Sequence, residues 1–419
     1  MSLLDFRVPA VLLRIDRNPF HHGTLGAVRS LGRAGVEVHL VADSAESPVS
    51  RSRFVRHLHS PPPPGSGPRD IADTLRKVAE HIARPAVLVP LDDACAIAVG
   101  RMRGELASSY LLPAMPGVLP EHVADKADLA AVCASVGIPH PQTLIPDSPA
   151  QAAAAARRLG LPMVAKWSRP WLLPPGSGLR STVLVGSAGE ARELYLRTGQ
   201  AGSALLLQRY LLPGPDRDWF FHGYTDQCGT MRASGSGRKR RAWPRAAGLT
   251  AVGCWTPNAQ VRALAERLTG ELGYRGVFDL DFRHCGATGR YHLLDFNPRP
   301  GAQFRLFSDT AGLDVVRALH LDVTRRPLPQ GAPQAGREFV VENYAPLDAV
   351  RPAPQGRELA WYAPDDPVPG RAMWALWCRH VSRRLRKRLR AAATAPAPPP
   401  AVRLTADPSL NDDEKASSR

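Results

Sequence analysis

The segment 276–301 constrains the fold of this chain more than any other, because it reads as two apolar strands with acidic residues at alternating positions. Its sequence, GVFDLDFRHCGATGRYHLLDFNPRPG, has a glycine-containing turn between the strands. Side chains two residues apart on a strand point to the same face. We therefore expect Asp279 and Asp281 to share a face of the first strand, and Asp295 and Asn297 to share a face of the second.

If the two strands pair as a hairpin, carboxylates and an amide oxygen converge, with the guanidinium of Arg299 just beyond them. Oxygen ligands of this kind hold Mg²⁺ that is itself bridged to phosphates. The alternative is an edge hairpin with a solvated acidic face. The choice depends on whether the rest of the chain supplies groups that bind a metal–phosphate pair.

Length and cysteine usage set the broad class of the protein. At 419 residues the chain is long enough for two or three domains. It lacks the uncharged run of about 18–20 residues that a membrane span requires, and charges interrupt its first apolar run, which favours a core strand over a signal peptide. Its six cysteines form no CxxC pair, which argues against a zinc site or a disulfide framework and favours a reducing compartment. We expect a cytoplasmic protein.

Half of the net charge of +16 lies near the C-terminus, where residues 371–390 include eight lysines and arginines and no acidic residue. Apolar residues recur there at spacings of three and four, which predicts a basic amphipathic helix over 371–392. Such a helix binds an anionic membrane surface, at the inner face of the membrane, or an acidic partner. The alternative is that its apolar stripe packs on the protein while the arginines are solvated. We find no nucleic-acid-binding motif and expect no such partner.

Residues 8–43 read as strand, helix and strand, which predicts a doubly wound parallel sheet with its ligand end at the strand C-termini. His21 and His22 lie at that end, although loop histidines are more often simple surface residues. Asp92 and Asp93 follow a later buried strand. They either bind a polar substrate or cap the next helix.

The segment from 116 onward carries two lysines, and a strand lysine that points inward can be a phosphate ligand, although most strand lysines face water. Lys126 lies early in a helix that ends at Gly137, and Lys166 lies on the strand LPMVAKW. The strand leads into a Gly/Ser/Pro loop whose backbone N–H groups can fold over an anion. This loop matches neither GxxxxGK[ST] nor GxGxxG, so a P-loop or a Rossmann dinucleotide site is not predicted.

The order of these parts resembles the ATP-grasp superfamily, specifically carboxylate–amine ligases of the D-aspartate ligase and carbamoyl-phosphate-synthetase-like type. The motifs that carry the resemblance are Asp125-Lys126 followed by GIPHP, and the sequence DFNPRPG. The resemblance implies α/β and α+β architecture, with a doubly wound pre-ATP-grasp domain before a two-lobed ATP-grasp domain. The implied parts are a domain 1–115, an ATP-grasp domain 116–328 with lobes 116–205 and 206–328, an irregular Pro-rich extension 329–370, the basic helix 371–392 and a disordered tail 393–419.

The resemblance also implies how the nucleotide is bound. Two lysines contact its phosphates, a small-residue loop over 174–181 covers the triphosphate, a hinge strand reads adenine through its backbone, and a following aspartate meets the ribose. The implied nucleotide-binding residues are Lys126, Lys166, Gly176, Ser177, Gly178, Gln208, Arg209, Tyr210, Leu211, Asp216 and Asp218.

For the reacting groups, the resemblance implies that Asp281, Asp295 and Asn297 bind Mg²⁺ or Mn²⁺. Arg299 would contact the transferring phosphate, and the list of implied catalytic residues is Arg299, Lys239 and Arg241. The implied activity is ATP-dependent activation of a carboxylate as an acylphosphate, followed by attack of an amine. The implied partners are small-molecule acids and amines, and a homodimer is left open.

This sequence differs from the family pattern at three places. Both metal-binding carboxylates are aspartate where glutamate is usual, Arg209 stands where the hinge usually has glutamate, and Ala302-Gln303 follow the last motif. The first two differences motivate a second hypothesis, a nucleotide-binding module without ligase activity that is recruited through its basic helix. A carboxylase or an acid–thiol ligase would share the same ATP half of the site.

Overall fold

The computed structural model describes residues 4–42, 47–244, 248–353 and 355–393, and builds them into three sheets. The first sheet has five parallel strands in the order β3-β2-β1-β4-β5. Its central strands are buried apolar runs, as expected of a sheet covered by helices on both faces. The elements of this region are β1 (Ala10–Leu13), α1 (His22–Arg33), β2 (Val38–Val41), β3 (His57–His59), α2 (Pro68–Ile82), β4 (Ala86–Pro90), α3 (Asp93–Arg101), α4 (Arg103–Leu106) and β5 (Tyr110–Leu111).

The second sheet has four antiparallel strands in the order β6-β9-β7-β8, and helices pack on it. It carries Lys166 on its third strand in that order. The elements are α5 (Leu119–Ala124), α6 (Lys126–Ser135), β6 (Thr143–Leu144), α7 (Pro149–Leu159), β7 (Met163–Trp167), β8 (Thr182–Val185), α8 (Ala188–Leu196), α9 (Thr198–Ala201) and β9 (Leu205–Arg209).

The third sheet has seven strands in the order β14-β13-β10-β11-β12-β15-β16, and the hairpin from segment 276–301 forms one edge of it. An aromatic cluster that includes Phe221, Phe278 and Phe296 packs between this sheet and the neighbouring helices. The elements are β10 (Asp218–Thr225), β11 (Met231–Trp243), β12 (Leu249–Trp255), α10 (Ala259–Glu271), β13 (Gly276–Cys285), β14 (Arg290–Asn297), α11 (Val315–Val323), β15 (Glu338–Val340), α12 (Pro346–Val350), β16 (Arg357–Leu359) and α13 (Val368–Ala393).

The expected fold class is confirmed, but the expectation for 329–370 is corrected. This segment is not simply irregular, because β15 pairs with β12 and β16 pairs with β15, which extends the large sheet by two strands. Its Pro-rich sequence hid these strands because each is only three residues long. The exact domain boundaries given above remain predictions.

The expectation of one helix around Lys126 is also corrected. The structure has two helices, α5 and α6, that meet at Asp125. The Asp125 carboxylate accepts hydrogen bonds from the backbone N–H groups of Ala127 and Asp128 and so forms the N-cap of α6. Lys126 is therefore the first residue of a helix.

A buried ion pair joins two distant parts of the chain. Arg29 on α1 donates to Asp366 at 3.0 Å, and the two side chains are only 2% and 1% exposed. Arg29 also donates to the backbone carbonyls of Trp361 and Asp366. Because every donor of a buried guanidinium needs an acceptor, the segment after β16 is fixed against α1.

The chain divides into two compact units, residues 1–374 and 375–419. In the second unit the structure describes the remainder of α13, where the sequence predicted a basic helix. No described helix combines the length and the apolar character needed to cross a membrane. The tail predicted to be disordered lies, apart from its first residue, outside the described residues.

Candidate active site

The hairpin of β13 and β14 presents its acidic residues in direct cross-strand register. Asp279 lies opposite Asn297, and Asp281 lies opposite Asp295. Residues directly opposite on neighbouring strands have Cβ atoms about 4.5–5.5 Å apart, so the four side chains form a compact array. The pairing and the shared face agree with the alternation read from the sequence.

Two lysines from other elements meet the Asp295 carboxylate. The Nζ of Lys126 lies 2.8 Å from Asp295 Oδ1, and the Nζ of Lys166 lies 3.3 Å from Oδ2 and donates to the Leu294 carbonyl at 2.9 Å. Burial alone would raise the pKa of Asp295, but the two ammonium groups outweigh it and hold that pKa well below its usual range. The helix lysine and the strand lysine therefore converge on one carboxylate.

Lys239 on β11 contacts Asp281, the other carboxylate expected to bind the metal. Its Nζ lies 2.8 Å from Asp281 Oδ1. Burial opposes its charge, yet the nearby Asp281 and Asp218 carboxylates raise the pKa of Lys239 above its ordinary value. The lysine is therefore cationic and lies on the same side of the sheet as the carboxylate array.

Arg299 follows β14 and contacts acids from two regions of the chain. Its guanidinium lies 3.1 Å from Asp279 Oδ2 and 3.4 Å from Asp93 Oδ1. Burial, reinforced by the charge of Asp281, raises the pKa of Asp279 to about 7 despite the adjacent arginine. Asp93 is the second acid of the pair read from the sequence, whereas Asp92 caps α3 by accepting from the Cys95 N–H.

A buried histidine that the sequence interpretation did not identify completes the floor of the site. The His222 Nδ1 lies 3.5 Å from Asp279 Oδ1, and burial followed by the charges of Arg299 and Lys239 lowers the pKa of His222 to about 3. Gly301 lies directly over this ring, because a Cβ at that position would be 1.7 Å from His222 Cε1. Phe220 and His222 alternate in an apolar strand, and this pattern could have drawn attention to His222. What His222 contacts, however, depends on the pairing of β10 with β13.

The N-terminus of α1 packs against the loop that follows the hairpin. A Cβ at Gly23 would lie 2.8 Å from the Cα of Ala302, so the two backbones are in close contact. Burial, with the charges of Arg14, His22 and Arg299, lowers the pKa of His21 well below its usual value. His22 instead packs between Phe339 and Trp361, so of the two loop histidines only His21 belongs near the site.

Asp125 connects the two lysine-bearing elements. Its carboxylate accepts from the Ser168 hydroxyl and, at 2.7 Å, from Arg169, both at the end of β7. The Lys126 N–H in turn donates to the Ser168 carbonyl at 2.9 Å. The sequence motif drew attention to Asp125, and the structure shows that it positions Lys126 next to Lys166.

The loop expected to cover the triphosphate is largely exposed and lightly held. Gly176 and Gly178 adopt φ values of +77° and +73°, and nothing lies within 4 Å of a Cβ built at either position. The Ser177 carbonyl accepts one hydrogen bond, at 3.2 Å, from Arg197. Such backbone angles favour glycine at both positions.

The hinge residues lie at the end of β9, where Gln208 donates to the Thr143 hydroxyl at 2.9 Å and Arg209 is exposed. Tyr210 and Leu211 follow the strand, and the Leu211 carbonyl accepts a hydrogen bond from Arg283 at 2.9 Å. An adenine ring bound at this segment would hydrogen-bond to backbone groups other than the Leu211 carbonyl.

Each aspartate expected near the ribose carries an arginine partner. Arg283 donates two hydrogen bonds, of 2.5 and 3.1 Å, to the Asp218 carboxylate, and Arg238 lies 2.9 Å from Asp216. The ribose contact of these two aspartates remains a prediction.

Arg241 is the expected catalytic residue that the structure places elsewhere. A register shift separates it from Lys239, because Lys239 pairs with Gly253 while Arg241 pairs with the adjacent Val252. A bulge of this kind turns the later side chain to the opposite face. Arg241 instead lies 2.6 Å from Asp348 on α12.

The donor set of Asp281, Asp295 and Asn297 fits a hard divalent cation. All three offer oxygen atoms, which are the ligands that Mg²⁺ takes. Asp295 Oδ1 is a buried oxygen that lies 2.8 Å from the Lys126 ammonium. Aspartate in place of glutamate is compatible with this arrangement because the cross-strand register already brings the carboxylates together.

Sequence comparisons give distant relatives. No family model matches the chain. The carbamoyl phosphate synthase large chain of Deinococcus radiodurans is 23% identical over 290 residues, which cover 67% of this chain and 26% of that protein, and the Deinococcus deserti protein of the same name gives the same identity and coverage. The chain thus spans about a quarter of the length of these curated relatives.

Solved structures match over most of the chain. N5-carboxyaminoimidazole ribonucleotide synthetase from Thermus thermophilus has a TM-score of 0.56 at 18% identity, covering 78% of this chain and 81% of that one. A biotin carboxylase from Campylobacter jejuni gives 0.59 at 14%, covering 79% and 74%. This chain has the ATP-grasp fold. An L-amino acid ligase from Bacillus licheniformis also shares it, with a TM-score of 0.56 at 14% identity over 75% of this chain and 73% of that chain.

An apolar cleft adjoins the polar face of the ATP-grasp sheet. Val277 lines it and lies two residues before Asp279, so it points to the same face of β13. Arg299 lines the cleft from the other strand, and Pro90 closes it from the end of β4. The charged array therefore continues into a largely non-polar cavity.

Proposed function

We propose that this protein is an ATP-dependent ligase that activates a carboxylate as an acylphosphate and joins it to an amine. The observation that carries the proposal is the array in which Lys126, Lys166, Lys239 and Arg299 converge on the carboxylates of β13 and β14. Phosphoryl transfer depends on positioning and charge neutralisation more than on a protein nucleophile. This array supplies those two requirements.

The proposed reaction has two steps. A carboxylate oxygen of the acid attacks the terminal phosphorus of ATP, and ADP leaves. The amine then attacks the acyl carbon, a C–N bond forms, inorganic phosphate leaves and the nitrogen loses a proton. Lys126 and Lys166 would neutralise phosphate oxygens, Arg299 would hold the acylphosphate, and the loop around Ser177 would exclude water.

Asp281, Asp295 and Asn297 would hold Mg²⁺ or Mn²⁺, which when bound neutralises phosphate charge. The chain's own contribution is to fix these oxygens through the β13–β14 register. The neighbouring lysines reduce the mutual repulsion between the Asp281 and Asp295 carboxylates.

The apolar cleft supports an acid or amine with a non-polar side chain as one substrate. Such a group would lie against Val277 and Pro90, with its reacting carboxylate toward Arg299. The name of the Bacillus licheniformis relative, an L-amino acid ligase, supports amino acids as the first class to test. Bicarbonate belongs in the same screen, because relatives of the biotin carboxylase type share the fold.

The test is to incubate the full chain with Mg-ATP and pairs of amino acids, and to measure ADP and the product mass. Label from an oxygen-18 carboxylate should appear in inorganic phosphate, since the carboxylate oxygen stays on phosphorus. Apolar amino acids should stimulate ADP release more than acidic or basic ones. If no label reaches inorganic phosphate with any acid that supports turnover, an acylphosphate intermediate is contradicted.

Matched variants separate the site from general effects. Asp295→Asn should lower kcat by about 100-fold or more, because it removes a proposed metal-binding carboxylate and the partner of Lys126 and Lys166. Asp73→Asn, an exposed aspartate on α2 that pairs with Arg76, should retain full activity. ATP binding without ADP or amide formation in the complete screen would favour the alternative of a nucleotide-binding module.

A further inference from the structure

A cluster of histidines lies on the first sheet, apart from the site just described. The histidine cluster consists of Glu37, His39, His57, His59 and His81. Parallel pairing of β2 with β3 places His39 beside His57 and Val41 beside His59. Alternation along β3 turns His57 and His59 to the same face of the sheet, and His81 approaches from the last turn of α2.

The donor atoms of three of these residues have the spacing of metal ligands. Glu37 Oε1 lies 3.1 Å from His39 Nε2 and 3.4 Å from His57 Nε2, and the three ligand atoms all lie within 4.8 Å of one another. A tetrahedral ion with bonds of about 2.0–2.1 Å has ligand–ligand separations of about 3.4 Å. Two of the three separations therefore already match such a site.

The surrounding groups hold these ligands in place. His39 Nδ1 lies 3.0 Å from His59 Nε2, so the second nitrogen of His39 has a partner that fixes the plane of the ring. Ligating histidines are usually oriented by such a contact at the nitrogen that does not bind the metal. Arg84 contacts Glu37 through Oε2 at 2.6 Å, which leaves Oε1 directed at the two histidines.

The last member of the cluster adds a further imidazole at the open side. The His81 ring lies edge-on at 5.1 Å from the His57 ring and 5.4 Å from the His59 ring, measured between centroids. It is exposed and can turn toward an ion. Four of the chain's 13 histidines thus meet at one point of the surface, beside a carboxylate.

We propose that Glu37, His39 and His57 bind a divalent transition metal of the zinc type, with His59 orienting His39 and with His81 or water as the fourth ligand. Imidazole nitrogen suits Zn²⁺, Ni²⁺ and Cu²⁺ rather than Mg²⁺, so the site would not compete for the ion of the ATP site. The scattered cysteines argued against a zinc site, but this one requires none of them. The proposal is independent of the ligase activity.

The test is a titration of the metal-stripped full chain with Zn²⁺ by calorimetry in excess Mg²⁺, and with Co²⁺ by visible absorption. We expect one saturable site and a cobalt spectrum of four-coordinate type. His57→Gln should weaken Zn²⁺ binding on the order of 100-fold or more, and His59→Gln by about 10-fold with the cobalt spectrum retained.

Two controls distinguish the cluster from other groups. His284→Gln, which changes a half-buried strand histidine elsewhere, and Asp295→Asn at the ATP site should both bind Zn²⁺ as the unmodified chain does. Absence of saturable Zn²⁺ binding, or equal affinity in His57→Gln, would overturn the proposal. Circular dichroism checks folding, and Glu37→Gln provides the second ligand variant if His57→Gln is unfolded.

Discussion

At the scale of single residues, the site is defined by charges that neutralise one another in pairs. Lys126 and Lys166 face Asp295, Lys239 faces Asp281, and Arg299 faces Asp279. A buried charge without a partner is strongly destabilising. Removing one member of any of these pairs would therefore destabilise the protein by leaving the other charge unpaired.

The close backbone approach at Gly301 gives a prediction for that residue. In Gly301→Ala the new Cβ would lie 1.7 Å from His222 Cε1 and 2.8 Å from Asp279 Cγ, with no flexible group to move away. We expect destabilisation of at least about 1–3 kcal/mol, as for overpacking in a core. Urea unfolding measures this effect.

The matched control is Gly270→Ala on α10, where nothing lies within 4 Å of the added Cβ. Alanine is the better helix former, so this variant should be unchanged or up to about 1 kcal/mol more stable. Equal unfolding free energies for the two variants would contradict the assigned contact between Gly301 and His222.

At the scale of secondary structure, the start of α6 determines where Lys126 points. Asp125→Ala removes the N-cap and leaves Arg169 without its carboxylate. We expect a stability loss of about 1 kcal/mol from the cap and a weaker ATP affinity, because Lys126 is no longer held beside Lys166. Unfolding and nucleotide binding are measured on the same samples.

Ser148→Ala is the control for that variant, because Ser148 caps α7 by accepting from the Gln151 N–H. It should lose a similar amount of stability and keep its ATP affinity. If Asp125→Ala binds ATP as tightly as Ser148→Ala does, Asp125 has no positioning role.

Local patterns were sufficient to predict some elements and insufficient for others. The hairpin followed from alternation alone, because its two strands are joined by a short turn that brings Asp281 opposite Asp295. The faces of Lys239 and Arg241 did not follow, because a bulge between them reverses the alternation. The role of His222 depends on the pairing of β10 with β13, a strand distant in sequence, and cannot be read from β10 alone.

At the scale of the whole molecule, buried neutral histidines link stability to pH. His22 is almost fully buried between aromatic rings, and burial lowers its pKa from 6.5 to about 4. The folded-state pKa of His22 lies below its value in the unfolded chain. Its contribution to the stability of the fold is therefore fully present above pH 6.5 and is lost as pH falls toward 4.

We expect His22 to account for about 2 kcal/mol of stability lost between about pH 7 and pH 5. His22→Phe, which keeps an aromatic ring at this position, should show a correspondingly smaller pH dependence in urea unfolding. An unchanged pH dependence in this variant would mean that His22 does not titrate as described. The sequence could not show this burial, because it arises from the distant segment that contains Phe339 and Trp361.

The ion pair between Arg29 and Asp366 limits how early the fold can be completed during synthesis of the chain. The two residues are 337 positions apart, and chains are synthesised at about 5–20 residues per second. Arg29 therefore leaves the ribosome roughly 15–70 seconds before its partner exists. During that interval α1 cannot bury Arg29 against this carboxylate, so this surface of α1 stays uncovered until residue 366 has been made.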